Sequence, residues 1–299
     1  MKIKTLFILL ITFSIVQQGY AQKNNKVENV VLQLSINEKI DLLCAKFPGV
    51  QKQGLVKYDW WSECLHGVAR AGKATVFPKP IAMGATWDSD LIKRIADAIS
   101  DEARAKHQRE VEQNGFSDRH FGLTFFSPTL NIARDPRWGR TSECFSEDPL
   151  LTSDMGVAFI KGMQGDDPYY LKTVATAKHF VANNEEDRRL GGSAEVDEMS
   201  LREYYFPAFQ AAVTQGRVTS IMGAYNALNG IPCCANSFLL NDVLRNEWGF
   251  DGVVISDGSA IDKLYTHHKY VPSLENGAAM ALKAGCDMSL RDEYRKGLY

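Results

Sequence analysis

The sequence predicts an α/β fold in which parallel strands are joined by crossover helices, and three observations support this prediction. Short β-rich runs alternate with amphipathic helical patterns along the chain. The 299 residues, 45% of them hydrophobic, suffice for the core of one large domain. Several β-rich runs end in charged or polar residues, where a closed (β/α)8 barrel or a doubly wound open sheet would bind its ligand.

Helices are predicted at three well-marked places. Ser35 and Glu38 form a capping-box pattern at the start of the first helix. Apolar residues at helical spacing indicate a second helix over 91–103 and a third over 239–244, closed by Gly249. Between the helices, β-rich runs predict strands over residues 123–132, 173–180, 218–225, 252–256 and 284–288.

The first residues have the features of a signal peptide. Two lysines precede an apolar run over residues 6–16, and small residues suit cleavage after Ala21. We therefore expect a signal peptide over 1–21, export to the periplasm or the medium, and a mobile segment over 22–30. A membrane anchor is disfavoured, because the apolar run is shorter than the roughly 20 residues that span a bilayer.

Composition excludes several classes of partner. The 34 Lys and Arg residues balance 36 Asp and Glu, so the net charge of -2 gives no field for nucleic acid or anionic membranes. The six cysteines and six histidines lack metal-ligand spacing. We therefore expect a neutral ligand and neither a metal nor a cofactor. The sequence predicts neither a disulfide pairing nor an oligomeric state.

Asp257 is the first candidate catalytic residue. It ends the segment 249–257, which runs from a helix C-cap through a turn and a buried strand into a carboxylate. Such a position would hold a nucleophile rigidly. The alternative, a structural aspartate that caps the next helix, is equally consistent with the pattern.

Three basic residues are further candidates. Arg140 lies in a loop dense in charge, proline and glycine, where its guanidinium could bind two sugar hydroxyls or an internal carboxylate. In the same loop we expect Asp135 and Arg137 to form an ion pair. Lys178 and His179 close a predicted strand and would project into a cleft, although a histidine at a strand end is more often structural.

Aromatic residues beside polar groups indicate a sugar site. Tyr225 and Asn226 end a further strand, and Trp60 and Trp61 stand next to Glu63 in sequence. Sugars place their apolar faces on aromatic rings while their hydroxyls bind charged acceptors. We expect at least one of the two tryptophans to be a core residue instead.

Taken together, these segments resemble the N-terminal barrel of the family 3 glycoside hydrolases. The resemblance covers most of the chain after the signal peptide and implies a (β/α)8-like barrel over residues 31–299. It also implies retaining exo-hydrolysis of β-linked sugars from the non-reducing end. It rests on six segments in order at compatible spacing, namely residues 34–40, 60–67, 134–140, 178–180, 222–229 and 249–257.

The resemblance implies a role for each candidate residue. Asp257 matches the family nucleophile, which forms a covalent glycosyl-enzyme that water then releases. Arg140, Lys178 and His179 match residues that bind the hydroxyls of the terminal sugar. Tyr225 matches an aromatic residue of the same pocket.

Glu63 bears on which sugar fits. It matches an acidic residue that grips the outer hydroxyls, and the xylosidase-like members resemble this Trp-Trp-x-Glu loop, whereas many glucosidases carry a shorter aspartate. The longer carboxylate reaches into the space that a C5 hydroxymethyl would fill. We therefore expect a β-xylosidase acting on xylo-oligosaccharides, with a β-glucosidase acting on gluco-oligosaccharides as the alternative.

The sequence departs from the family pattern in two respects. Gly258-Ser259-Ala260 follows the nucleophile position, where many relatives have an aromatic, small or cysteine residue and then Gly-Ala. Retaining hydrolysis also needs an acid/base, and the loop over 181–188 lacks the Pro-Gly-His signature of the N-acetylglucosaminidase branch. We expect the acid/base to come from a following α/β sandwich domain. Because the chain stops at Tyr299, we expect a truncated product without that domain and with an incomplete last helix.

Two alternative functions from other classes of protein stay open. A non-catalytic sugar-binding barrel would keep Arg140, Lys178 and His179 without turnover. A barrel lyase or aldolase would use Lys178 to form a Schiff base.

Overall fold

The computed structural model describes residues 27–299, so the predicted signal peptide and residues 22–26 lie outside the described part of the chain. Residues 27–33 are helical. The helices that follow are α1 (Ile36–Leu42), α2 (Pro80–Gly84), α3 (Ser89–Asn114), α4 (Pro149–Gln164), α5 (Glu198–Ser200), α6 (Pro207–Thr214), α7 (Ala260–Thr266), α8 (Leu274–Lys283) and α9 (Glu293–Leu298), with π-helical stretches at Leu201–Tyr205 and Phe238–Glu247. The strands are β1 (Lys46–Phe47), β2 (Tyr58–Asp59), β3 (Thr124–Phe125), β4 (Val174–Phe180), β5 (Ser193–Ala194), β6 (Ser220–Gly223), β7 (Ala227–Leu228), β8 (Ile231–Pro232) and β9 (Val253–Ser256).

Four parallel strands form the centre of the fold, in the order β3, β4, β6, β9. The residues of β3, β4, β6 and β9 are almost all buried, as expected for parallel strands that are covered on both faces. A separate small sheet of β5, β7 and β8 lies beyond the carboxyl end of β6.

Further backbone pairings continue the sheet into a closed ring. Ile255 of β9 pairs with Met288, and Ser289 pairs with Cys44. The segment that begins at Cys44 continues into β1, which pairs with β2 in antiparallel fashion. Beyond β2, Ser62 pairs with Phe125 of β3, which completes the ring. The predicted α/β barrel is therefore the observed fold, and it differs from the ideal (β/α)8 barrel in its short antiparallel first pair.

An aromatic cluster fixes the end of β4 from the helical side. The ring of Phe180 lies 5.1 Å from Phe209, 5.8 Å from Trp248 and 6.0 Å from Phe206, measured between centroids. All four side chains are buried. Anchoring Phe180 among the helices fixes this end of β4. The pairing of β4 with β6 shifts register between Lys178 and Phe180, so strict alternation of faces does not hold there, and His179 lies 3.6 Å from the Asp257 carboxylate.

Most predicted elements are confirmed, and two strands are wrong in extent. Of the strand predicted over 123–132, only Thr124–Phe125 forms β3, and Pro128 has no backbone N–H with which to continue the ladder. Both hydrogen bonds of the capping box are present, between Ser35 and Glu38. The predicted helix over 91–103 lies within α3, and Gly249 follows the π-helical stretch with φ 72°. The predicted strand over 284–288 starts late, because Ala284 caps α8 and Gly285 turns the chain at φ 100°, so pairing begins at Met288.

Three further features of residues 27–299 are the hydropathy of the helices, the state of the cysteines and the grouping of metal-binding side chains. No helix among them is both long and apolar enough to cross a membrane. All six cysteines of the chain lie in this part and are buried free thiols. The described part contains no group of three or more His, Cys, Asp or Glu side chains arranged to hold a metal ion.

We predict that the close packing of α3 on α4 depends on Gly162. A Cβ atom at Gly162 would meet the Lys93 carbonyl oxygen, the Asp97 nitrogen at 2.9 Å and the Ala96 Cβ at 2.7 Å. We therefore expect Gly162→Ala to lower the free energy of unfolding by about 1–3 kcal/mol, measured by urea denaturation, although alanine favours helices.

Gly156→Ala is the matched control on the same helix. Its Cβ would meet only the Leu130 Cδ2 at 2.5 Å, the far end of a side chain that can rotate away. We expect a smaller loss than for Gly162→Ala. Equal stability of the two variants would contradict the proposed backbone clash.

Candidate active site

The candidate residues meet at the carboxyl edge of the strand ring. Lys178 and His179 are among the last three residues of β4. Asp257 directly follows β9, and Tyr225 comes two residues after β6. Glu63 follows Ser62, whose pairing with β3 places it at the same edge. Arg140 reaches this edge from the loop after β3, where its guanidinium contacts His179.

Asp257 is held by its own loop and by the neighbouring strand. Its backbone N–H donates to the Gly223 carbonyl at 3.1 Å, and its carboxylate accepts from the Gly258 N–H at 2.6 Å. The side chain is 14% exposed. The N-cap of α7 is Ser259, so Asp257 is not the capping aspartate that the sequence left open.

Burial governs the charge of Asp257. Removal from water raises the pKa of this carboxyl, while the Gly258 N–H and the charges of Lys178, Arg140 and Arg189 act in the opposite direction. The site therefore contains a partly desolvated carboxylate surrounded by positive charge. Such a group is the type of perturbed residue that is frequent at functional sites.

His179 is neutral and has a defined tautomer. Burial first, and then the charges of Arg140 and Lys178, hold the pKa of His179 well below its ordinary value. Asn131 donates its amide N–H to the His179 carbonyl at 2.9 Å, so its Oδ1 is the acceptor for His179 Nδ1 at 3.1 Å. The proton therefore lies on Nδ1, and Nε2 accepts from Arg140 at 3.3 Å and lies 3.6 Å from the Asp257 carboxylate.

Arg140 is fixed in orientation by a two-point ion pair. Its Nε and Nη2 donate to the two Glu143 oxygens at 2.8 and 2.7 Å. Burial would raise the pKa of Glu143, but its hydrogen bonds with Arg140 outweigh this and lower it. Asp135 and Arg137 form the expected ion pair at 2.6 Å on the outside of the loop.

The Lys178 ammonium forms neither an ion pair nor a hydrogen bond with another described residue. Only 8% of the Lys178 surface is exposed, and no hydrogen bond joins its ammonium to another residue in the range 27–299. Its charge acts on Asp257 and on Glu143. Three N–H donors of a buried ammonium are therefore free to bind the hydroxyls of a ligand.

Tyr225 links the aromatic wall to the Asp257 loop. Its hydroxyl donates to the Gly258 carbonyl at 2.6 Å. The Arg189 guanidinium lies 5.1 Å from the centre of its ring and pairs with Glu186 at 2.5 Å. Burial, and then the charge of Asp257, raise the pKa of Tyr225, so its hydroxyl keeps its proton.

Glu63 is positioned by the tryptophan beside it. Trp61 donates its indole N–H to Glu63 Oε1 at 3.0 Å. Trp60 and Trp61 are both partly buried and pack against the edge of a small core cluster. Glu63 and Lys178 both act on the thiol of Cys64, whose pKa burial raises to about 12.

Sequence reasoning missed three residues of this cluster. Asn131 orients His179, and Arg189 with Glu186 forms the ion pair beside Tyr225. The run of charges over 185–189 was visible in the sequence. Nothing in that run distinguishes the exposed Arg188 from Arg189, which turns inward.

Comparison with known proteins identifies the family of this chain. Residues 24–299 match the model of the glycosyl hydrolase family 3 N terminal domain. The chain is 38% identical over 279 residues to a xylan 1,4-beta-xylosidase of Xylanibacter ruminicola. The aligned region covers 89% of this chain and 32% of that protein. It is 39% identical over 281 residues to exo-1,4-beta-xylosidase bxlB of Emericella nidulans, covering 88% of this chain and 36% of that protein.

Solved structures give the same picture. A GH3 exo-beta-xylosidase (XlnD), in complex with a xylobiose aziridine activity based probe, superposes with a TM-score of 0.83 at 34% identity, over 92% of this chain and 37% of that one. Beta-glucosidase 3B from Thermotoga neapolitana, in complex with glucose, gives 0.70 at 30% identity, over 91% and 39%. The chain thus spans about a third of the length of the relatives it matches.

We predict that the Asp257 carboxylate opposes folding at neutral pH. Because its pKa is raised in the folded state, ionisation disfavours that state at any pH above that pKa. Asp257→Asn should raise the free energy of unfolding at pH 7 by about 0.5–2 kcal/mol. The gain should disappear near pH 3.5, below the ordinary aspartate pKa of about 3.9.

Urea denaturation at the two pH values measures this difference. Asp251→Asn, at an exposed aspartate of the same segment, is the control and should change stability by less than about 0.5 kcal/mol. A loss of stability in Asp257→Asn at pH 7 would show that the surrounding cations outweigh burial.

Proposed function

Since this chain belongs to glycosyl hydrolase family 3, we propose that it forms the sugar-binding and nucleophile half of a retaining β-glycosidase site. The single observation that carries the proposal is the geometry around Asp257. A carboxylate that is 14% exposed stands at the carboxyl edge of the ring, with the neutral His179 at 3.6 Å and the charges of Lys178 and Arg140 close by.

In this proposal Asp257 attacks the anomeric carbon of the terminal sugar. The glycosidic bond breaks as the bond to the Asp257 oxygen forms, and water later cleaves the resulting ester. The loop bond from Gly258 holds one carboxylate oxygen, which leaves the other available for attack. The positive charges around the site stabilise the ionised form that the attack needs.

The proton donor is proposed to lie outside this chain. Glu63 is assigned to the sugar hydroxyls, and the other two glutamates beside the cluster, Glu143 and Glu186, are each bound to an arginine at 2.7 Å or less. Arg140 lowers the pKa of Glu143, so this carboxylate is ionised and cannot protonate a leaving group. Glu186 has both oxygens engaged, one by Arg189 and one by the Trp138 indole N–H. A retaining enzyme needs its acid/base about 5–5.5 Å from the nucleophile.

The remaining residues of the site are proposed to bind the terminal sugar. Lys178 supplies free donors, and Arg140 supplies the N–H groups of its Nη1, which bind neither Glu143 nor His179. His179 Nε2, which accepts from Arg140, helps to hold these donors in place. Tyr225 provides an aromatic wall whose hydroxyl is already engaged by Gly258. Glu63 accepts from outer hydroxyls through the oxygen that does not bind Trp61.

The substrate is proposed to be a xylo-oligosaccharide. Relatives with names that state xylosidase activity support this, and so does the length of Glu63, which takes up the space of a C5 hydroxymethyl group. A gluco-oligosaccharide is the alternative, because β-glucosidases also share the fold. The signal-peptide features of residues 1–21 support export.

A non-catalytic sugar-binding role is the second candidate. The observation that favours it is that groups able to bind sugar hydroxyls stand beside Asp257, whereas no residue in the range 27–299 is placed there as an acid/base. Such a protein would bind the sugar through Lys178 and Arg140 without turnover.

We predict that an activated 2-deoxy-2-fluoro-β-xyloside labels Asp257. Its good leaving group needs little help from an acid, so the nucleophile half of the site is sufficient. Intact-mass and peptide mass spectrometry should find one sugar adduct on Asp257 and none in Asp257→Asn. Absence of the adduct in a folded wild-type chain would favour the non-catalytic role.

We predict that Glu63→Asp relaxes the choice of sugar. The shorter side chain makes room for a hydroxymethyl group, so labelling by the matching fluoroglucoside should rise relative to the fluoroxyloside by roughly tenfold or more. Glu63→Gln keeps the length and should keep the xylose preference. A wild-type preference for the glucoside would refute the length argument.

A further inference from the structure

A surface pocket of about 770 Å³ has a lining with an excess of positive charge. The lining includes two carboxylates, those of Asp41 and Asp292. It also includes five basic side chains, namely Lys46, Lys57, Arg119, Arg291 and Arg295. The net charge of -2 of the whole chain therefore conceals a local cationic surface.

Two of the five basic side chains have no carboxylate partner in the range 27–299. Three are paired, as Arg295–Asp41 at 2.5 Å, Lys57–Asp118 at 3.6 Å and Arg119–Asp59 at 3.1 Å. The second carboxylate of the lining, Asp292, is bound by Lys296 at 3.1 Å. The charges of Lys46 and Arg291 are thus uncompensated by the described part of the chain.

Two of the arginines in the lining lie over one aromatic ring. The guanidinium carbons of Arg119 and Arg291 are each 5.0 Å from the centre of the Trp61 ring. Arg119 donates only its Nε to Asp59, so its Nη groups and all five N–H donors of Arg291 bind no residue in the range 27–299. Cation–π contact positions these planar groups, and their free N–H groups suit two-point binding of a carboxylate.

The pocket adjoins the candidate active site on two sides. Trp61 donates its indole N–H to Glu63 at 3.0 Å. Leu290 lines the pocket and lies beside the loop after β9, since its Cδ2 is 3.7 Å from the position of a Cβ atom at Gly258. Arg291 directly follows Leu290. A group bound in the pocket can therefore belong to the same molecule as a sugar in the active site.

We propose that this pocket binds the carboxylate of an acidic sugar unit, a uronic acid, that is linked to the sugar at Asp257. The substrate class is then an oligosaccharide with acidic branches, which rests on the proposed function of the Asp257 site. Free guanidinium donors select an anion. Pro48 and Tyr299 add apolar surface to the lining, which suits the ring of a sugar acid better than a bare phosphate.

Arg291→Gln is the variant that tests the pocket. The Arg291 side chain is exposed and forms no hydrogen bond with a described residue, so its replacement removes charge without removing a protein hydrogen bond. Arg291→Lys keeps the charge. Arg109→Gln, at an exposed arginine of α3 that does not line the pocket, is the matched control.

The first experiment is an NMR titration with D-glucuronate, followed through the Arg119 Nε–H signal. D-Glucose has the same ring without the carboxylate and is the control ligand. We expect glucuronate to shift this signal in the wild type, Arg291→Lys and Arg109→Gln, and Arg291→Gln to need at least about tenfold more of it. Equal shifts by glucose, or equal titration of the wild type and Arg291→Gln, would overturn the proposal. Inorganic phosphate acting at a lower concentration than glucuronate would identify a phosphate pocket and would also overturn it.

The second experiment tests the link to the active site by calorimetry. Its ligands are xylobiose and xylobiose with one glucuronic acid branch on the sugar next to the terminal one. The branched ligand should bind the wild type at least about tenfold more tightly, and Arg291→Gln should bind both about equally. Equal affinities in the wild type would overturn the link. Failure of Asp257 labelling alongside glucuronate binding would refute the proposed reaction alone, whereas normal labelling without glucuronate binding would refute the pocket alone.

Discussion

The parallel pairing of β3, β4, β6 and β9 is the constraint on which the rest of the structure depends. Parallel strands end at one edge, so residues far apart in sequence are brought together there without any direct bond between them. His179 and Asp257 come within 3.6 Å in this way. The aromatic cluster around Phe180 then fixes the end of β4, and the Tyr225 hydroxyl fixes the loop after β9.

The sequence predicted which residues lie at the carboxyl edge of the strands better than it predicted the side-chain contacts among them. Alternating runs and the polar residues that close them located His179 and Asp257, because strand–helix alternation implies parallel strands whose carboxyl ends meet at one edge. The role of Asn131 was not predictable, since it depends on a side-chain bond across two strands. The strand predicted over 284–288 failed because apolar composition does not distinguish a helix end and turn from an extended strand.

The charges of the site divide into paired and unpaired groups. Arg140 and Arg189 are each held by a glutamate, which fixes their position and reduces their net field. Within residues 27–299, Lys178 has no such partner, and the Gly258 N–H is the one hydrogen-bond donor to the Asp257 carboxylate. One buried cation and one largely buried anion are thus left to respond to a ligand, while Arg140 and Arg189 are already paired.

The tautomer of His179 has a consequence for how acidity acts on this site. Because Nδ1 is bound to Asn131, Nε2 faces Arg140 and burial holds the pKa of the ring well below that of an ordinary histidine, His179 is neutral at neutral pH. The imidazole therefore does not titrate near neutrality. If the rate of the complete enzyme changes with pH near neutrality, the change must be assigned to a different ionisable group. The proton donor that completes the site is the first to consider.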